Sequence, residues 1–321
     1  MALGVLGVVM FAMTLPMTRL AVGDVALPQL DPVFVTAGRA AVAGLLSVLY
    51  LLAVRAPAPP RHLWPALATC ALGTVVGFPF FLALALRQVD AMHAAVVTGV
   101  LPLGTAVVAA LFFRQRPSLG FWACALLGCA LVLGFAAWQG GGELSVADAY
   151  LLLAVVSTSL GYVAGARAAQ VLPAQQVICW LLVGSLPFTV PVAVWAWPAA
   201  AVQPSAWLGF SYVSVFSMWL GFFAWYRGLA LGGVVRVSQV QLVQPFLSLL
   251  FAVPVLGEKL DALTVAFSLA VIAVVFLGRR MAVGVPAPPT SSISPPTRSG
   301  APVAPAAASL PPHSKATGDR P

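Results

Sequence analysis

Runs of about twenty apolar residues recur along the sequence as far as residue 280, separated by short polar stretches. A helix needs about 20 apolar residues to cross the hydrocarbon core of a bilayer. A barrel strand needs about 10 and alternates in polarity. These runs are long and do not alternate, so each reads as a membrane-spanning helix. Only 7% of the 321 residues are charged, whereas a water-facing surface needs roughly 25%. That excludes a soluble enzyme, a nucleic-acid reader and a disordered scaffold. The net charge of +8 is spread singly between apolar runs, as topology signals rather than as a binding patch.

Charges, prolines and glycines place the spans near 3–22, 33–54, 63–86, 92–113, 119–138, 148–168, 174–197, 206–229, 235–256 and 262–278. This predicts an all-α membrane protein of ten transmembrane helices. The first run begins at Met1 with no Lys or Arg before it, and is expected to span rather than to be a cleaved signal peptide. From Met281 the composition turns to Pro, Ala and Ser, so 281–321 is expected to be a disordered tail. With the N-terminus cytoplasmic, the inner loops collect Arg55, Arg61, Arg114, Arg116, Arg167, Arg227, Arg236, Arg279 and Arg280. The outer loops collect Asp24, Asp31, Glu143 and Asp148, with the mixed sets Arg87/Asp90 and Glu258/Lys259/Asp261. The positive-inside rule then puts both termini in the cytoplasm.

Aligning Pro102 with Pro245 brings the two halves into register, with Gln115-Arg116 opposite Glu258-Lys259. Each half holds five spans, an odd number, so the second must enter the membrane upside down. Inverted repeats of this kind are a transporter architecture. The expected units are 1–138 and 139–280, two inverted five-helix repeats.

Gln244-Pro245-Phe246 followed by Leu256-Gly257-Glu258-Lys259-Leu260, Leu101-Pro102-Leu103 followed by Phe113-Arg114-Gln115-Arg116-Pro117, and Arg39 in the second span resemble the drug/metabolite transporter superfamily, in particular its EamA-domain members. The resemblance covers about 3–280. It implies a secondary transporter exporting amino-acid-like or drug-like metabolites across a bacterial inner membrane. The first half has Arg114-Gln115 where the family usually shows Gly-Glu, so any role of that glutamate carries over to Glu258 alone.

A polar side chain inside the membrane is costly, which makes each one a functional candidate. Arg39 lies about 12 Å into its span at 1.5 Å per residue. It can face a wet cavity and hold an anionic solute group, be pinned by carbonyls at a broken helix, or snorkel outward. Pro16, Pro102 and Pro245 each remove a backbone donor and are candidate helix breaks or gates, together with Glu258. The carbonyl that Pro16 frees can face the cavity or be met by Thr14 or Thr18. Gln241, Gln244 and Ser248 form one helical stripe, able to line a pore wall or to bond across helices. Tyr162 and Trp180 lie deep enough to pack a ligand's apolar part, or to face lipid. Arg19 and His93 are expected at the interface. The Gly73/Gly77 and Gly161/Gly165 pairs read as close helix contacts. Cys70, Cys124, Cys129 and Cys179 have no metal-ligand spacing and read as small hydrophobes.

There is no GxxxxGK[ST], HExxH or GxSxG segment, and no Asp or Glu sits deep in a span. Neither cofactor, metal nor nucleic acid is expected. The partners are a small-molecule solute and the lipid bilayer, and a homodimer is left open. The reading is a secondary transporter of a small polar metabolite working by alternating access. Its rivals are a membrane-embedded scaffold or sensor without transport, and an intramembrane lipid enzyme.

Overall fold

The computed structural model describes residues 2–112, 116–232, 239–281 and 283–284. The expectations for Arg114, Gln115, Arg236, Ser238 and the tail from residue 285 fall outside the described residues. The described residues are helical apart from short loops, an isolated bridge between Gly23 and Pro28, and an antiparallel pairing of Arg116–Pro117 with Val283–Gly284. Eight helical segments are long and apolar enough to cross a bilayer: α1 (Ala2–Val22), α2 (Pro32–Ala53), α3 (Arg61–Leu86), α4 (Ala91–Phe112), α5 (Leu119–Gln139), α6 (Val146–Ala168), α7 (Gln175–Trp195) and α8 (Pro204–Trp225). Two shorter apolar helices complete the array, α9 (Val240–Leu256) and α10 (Ala262–Gly278). The chain is a multi-pass membrane protein.

The helices start where the sequence supplies caps. The Asp31 carboxylate accepts from the Val33 N–H at 2.8 Å, with Pro32 in the first turn of α2. Ser145 and Asp148 form a reciprocal capping box on α6. Asp261 accepts from the Thr264 N–H at 2.8 Å at the start of α10. Asp31, Asp90, Glu143, Asp148, Glu258 and Asp261 all stand at or just before the starts of α2, α4, α6 and α10, where the helix dipole is positive, and Asp24 lies in the loop that leads into α2. Hydrogen bonds tie these starts to one another, as from the Ala91 N–H of α4 to Glu258, just before α10, at 2.7 Å. One face of the helix array is therefore an acidic end. Arg55, Arg61 and Arg167 mark the opposite, arginine end.

Helices in lipid gain little from burying apolar surface against one another, so small residues and close approach hold them together. A Cβ on Gly73 of α3 would lie 2.3 Å from the Ser157 carbonyl oxygen and 2.8 Å from the Gly161 Cα of α6. Gly165 packs on Cys70 in the same seam. The glycine pairs are thus the α3–α6 contact that their spacing predicts. On α2, Gly44 sits against Leu186 of α7, and Phe34 meets Trp197, Trp207 and Phe210 with ring centroids 5.2–5.8 Å apart. Cys70, Cys124 and Cys179 are buried, but Cys129 is exposed on the outside of α5.

Several helices are interrupted, mostly just before a proline. α1 breaks at Met13 ahead of Pro16, and α4 at Gly99–Val100 ahead of Pro102. α3 widens into a π turn over Ala71–Gly77 ahead of Pro79. α9 opens in a 3-10 turn over Gln239–Val243 ahead of Pro245. A second π stretch, Val213–Leu220, lies in α8. Extra backbone width of this kind re-aims side chains and is frequent at functional sites.

Candidate functional site

Arg39 stands on α2 and is only 3% exposed. Its Nη2 donates to the Ser217 hydroxyl at 3.1 Å and lies 3.7 Å from the Met218 sulfur. Both partners come from the π stretch of α8. Ser217 in turn shares a 2.8 Å hydrogen bond with Thr14 at the break in α1. The Nε and Nη1 atoms of Arg39 are buried without a partner, as is the Thr158 hydroxyl. A buried guanidinium missing two of its partners is an incomplete electrostatic arrangement, because each unmatched donor keeps its desolvation cost.

These groups border a small cavity of about 60 Å³. Thr14, Arg39, Tyr162, Gln241 and Gln244 all line it, as do Thr74, Thr158 and Ser217. Phe11, Phe78 and Phe222 supply apolar walls. Among the described residues no Asp or Glu lines the cavity, so the arginine charge is uncompensated. Gln241 and Gln244 also line a neighbouring chamber with Pro102, Pro245 and Ser248. A further space, sharing Phe11, Thr74, Tyr162 and Gln241, continues past Gly165 and Ala169 near the arginine end of α6.

Pro16 lacks the N–H that would bond the Ala12 carbonyl. Neither threonine meets that oxygen: Thr18 donates to the Thr14 carbonyl at 2.6 Å, while Ser248 of α9 donates to Ala12 at 2.8 Å. The stripe on α9 is therefore divided, its glutamines lining the cavity and its serine tying α9 to α1. Trp180 is absent from the cavity lining. It packs instead with the cluster of Ala40, Ala43, Ile178 and Leu182 between α2 and α7, because its face of α7 meets α2.

At the acidic end Glu258 spans the first turn of α4, its two oxygens accepting from the Ala91 and Met92 N–H groups at 2.7 and 2.8 Å. Burial raises its carboxyl above the ordinary glutamate value, against the pull of those two N–H groups, with Asp90 raising it further and Arg19 opposing. Arg19 lies 3.8 Å from Asp24 and 4.0 Å from Asp90, and also donates to the Leu86 carbonyl. Arg87 reaches the Leu30 carbonyl at 3.1 Å. Arg19 and Glu258 thus border a polar depression at this end, apart from the Arg39 cavity.

Two features escaped the sequence. Ser217 and Met218 read there as ordinary residues of an apolar span, and their meeting with Arg39 depends on the π stretch. His93, expected at the interface, is 7% exposed, and its Nε2 lies 2.6 Å from the Asp148 Oδ1. Their positions in the first turns of two helices that begin at one end were the available signal.

Comparison with known proteins agrees with this architecture. The EamA-like transporter family matches residues 1–136 and 145–279. The "Uncharacterized transporter YdeK" of Bacillus subtilis (strain 168) is 45% identical over 281 residues, which cover 87% of this chain and 96% of that protein. A solved crystal structure superposes with a TM-score of 0.58 at 21% identity, covering 88% of this chain and 96% of its own, a likeness of fold. With both halves matched and a near-full-length relative, the chain belongs to the EamA-like transporter family.

Proposed function

We propose that the protein is a secondary transporter that moves a small carboxylate-bearing metabolite, amino-acid-like or drug-like, and exports it across a bacterial inner membrane. Residues 1–138 and 139–280 act as two inverted five-helix repeats, and their rocking exposes the Arg39 cavity alternately to either side. Both termini lie in the cytoplasm. The observation that carries the reading is Arg39, buried with Nε and Nη1 unpartnered in a cavity with no acidic lining residue among those described. An anion completes that arrangement, and a cation is repelled. Phe11, Phe78 and Phe222 hold the apolar part of the solute, while Thr14, Tyr162, Gln241 and Gln244 hold its polar groups. Pro16, Pro102 and Pro245 mark the places where helices can flex.

Counterflow exchange in proteoliposomes tests this, with a panel of radiolabelled amino acids and simple monocarboxylates. Wild type exchanges at least one carboxylate and not its amide. Arg39→Lys keeps the charge without the planar donor array and exchanges with weaker apparent affinity. Arg39→Leu inserts normally and exchanges nothing. Unchanged exchange by Arg39→Leu overturns the reading.

A further inference from the structure

The space beside Arg39 is about 60 Å³, whereas the chamber that continues toward the arginine end of α6 is about 180 Å³. Phe11, Thr74, Tyr162, Phe222 and Gln241 line both, so the two adjoin. The larger space has a cause in the sequence. Past Tyr162, α6 presents only Gly165, Ala166 and Ala169 to it. Side chains this small leave a void, which Ile178 and Leu181 of α7 and Trp225 of α8 also border.

Polarity divides the two spaces as sharply as size does. The Arg39 end holds buried donors without a partner, Nε and Nη1 of the guanidinium and the Thr158 hydroxyl. The chamber shares its polar lining residues, Thr74, Tyr162 and Gln241, with that end. The Thr74 proton is already given to the Cys70 carbonyl at 2.6 Å. Of the residues the chamber has to itself, only Trp225 carries a side-chain nitrogen, and none carries a side-chain oxygen. Among the described residues Arg39 is the one charged group that borders either space. An apolar cavity of about 150 Å³ is known to hold a benzene ring. The chamber exceeds that, while the space at Arg39 suits a headgroup alone.

We infer that the chamber is a subsite for an uncharged apolar group the size of one aromatic ring, carried by the solute whose carboxylate Arg39 holds. The inference rests on the transport reading for the position of that carboxylate, and it narrows the solute class to arylalkanoate-like amphiphiles. The head lies at Arg39 and the tail points toward the arginine end. A second charge on the tail is rejected, because no chamber residue matches it once its water is lost. A tail of methyl size leaves the chamber walls without contacts and binds weakly.

Equilibrium binding of radiolabelled phenylpropanoate to the full chain in nanodiscs tests the subsite, with displacement by propanoate and by glutarate. Phenylpropanoate should bind at least about tenfold more tightly than propanoate, as burial of a ring requires. Glutarate, whose second carboxylate would enter the chamber, should bind no better than propanoate. Ala166 and Ala169 are exposed at the chamber's border, where α6 has room for a larger residue. Ala166→Leu and Ala169→Leu each fill part of the chamber and should remove most of the phenyl advantage while leaving propanoate affinity unchanged. Two such variants keep the test independent of how well either one folds. Equal binding of phenylpropanoate and propanoate by wild type overturns the subsite, as does a phenyl advantage that both variants keep. An equal loss of both acids in the folded variants also overturns it, by showing a common passage rather than a tail site. Counterflow of the same acids separates the two readings. If phenylpropanoate binds in this pattern but no carboxylate exchanges, the transport reading fails and the subsite stands. If propanoate exchanges and the ring brings no advantage, the subsite fails and the transport reading stands.

Discussion

The hydroxyl of Ser248 donates to the carbonyl of Ala12 at 2.8 Å across 236 residues of sequence. The oxygen it reaches is the one that Pro16, four residues on, leaves without an intrahelical donor. A break in one helix is thus satisfied by a helix from the other half of the chain, beside the glutamines that line the cavity.

Ser248→Ala should therefore destabilise the protein by about 1 kcal/mol, by leaving a buried carbonyl unmatched. Pro16→Ala restores the missing N–H, so the serine becomes redundant. The double variant should lose less stability than the two single changes added together. Thermal unfolding in detergent, run as a double-mutant cycle, measures this; strict additivity would show that the two residues act independently.

The α3–α6 seam gives a second expectation. Gly73→Ala places a methyl 2.3 Å from the Ser157 carbonyl oxygen, a backbone atom that cannot swing aside. Two helices must separate, and a loss of about 1–3 kcal/mol is expected. Gly134→Ala is the control, because nothing lies within 4 Å of its Cβ. That change should be neutral or stabilising by up to about 1 kcal/mol. Equal behaviour of the two variants in thermal unfolding would refute the seam.

Glu258 predicts a pH dependence. Burial raises its carboxyl above the ordinary value, so the folded state holds this proton more tightly than the unfolded chain does. The associated stability is fully present below about pH 4.3, the unfolded value. It is lost as pH rises through the raised folded value. Glu258→Gln cannot titrate, so the melting temperature of wild type relative to this variant should fall across that window. A relative melting temperature that rises with pH would mean that the two N–H bonds outweigh burial.

Orientation is tested at the start of α5. If the arginine end faces the cytoplasm, a cysteine at Ser118, on a background without the four native thiols, reacts with an impermeant maleimide only in inside-out vesicles. Labelling in intact cells reverses the proposed topology and, with it, the assignment of Glu258 to the outer side.

The extent of each helix was written in the sequence. Twenty-residue apolar runs, the sorting of acids and arginines to opposite loops, and the prolines placed the described helices within a few residues. The glycine spacing on α3 and α6 announced a close contact, since only small residues let backbones approach so nearly. What the sequence could not supply was direction around each helix. In a soluble protein the polar stripe shows which face is outside, but lipid and helix interior are equally apolar, so a spanning helix carries little such signal. For that reason Trp180 was indistinguishable from a cavity residue until α2 was seen against its face. The meetings of Arg39 with Ser217, Ser248 with Ala12, and His93 with Asp148 arise between residues 55 to 236 positions apart. They were decided by tertiary packing, where one helix's missing hydrogen bond or uncompensated charge is matched by another helix at the same depth.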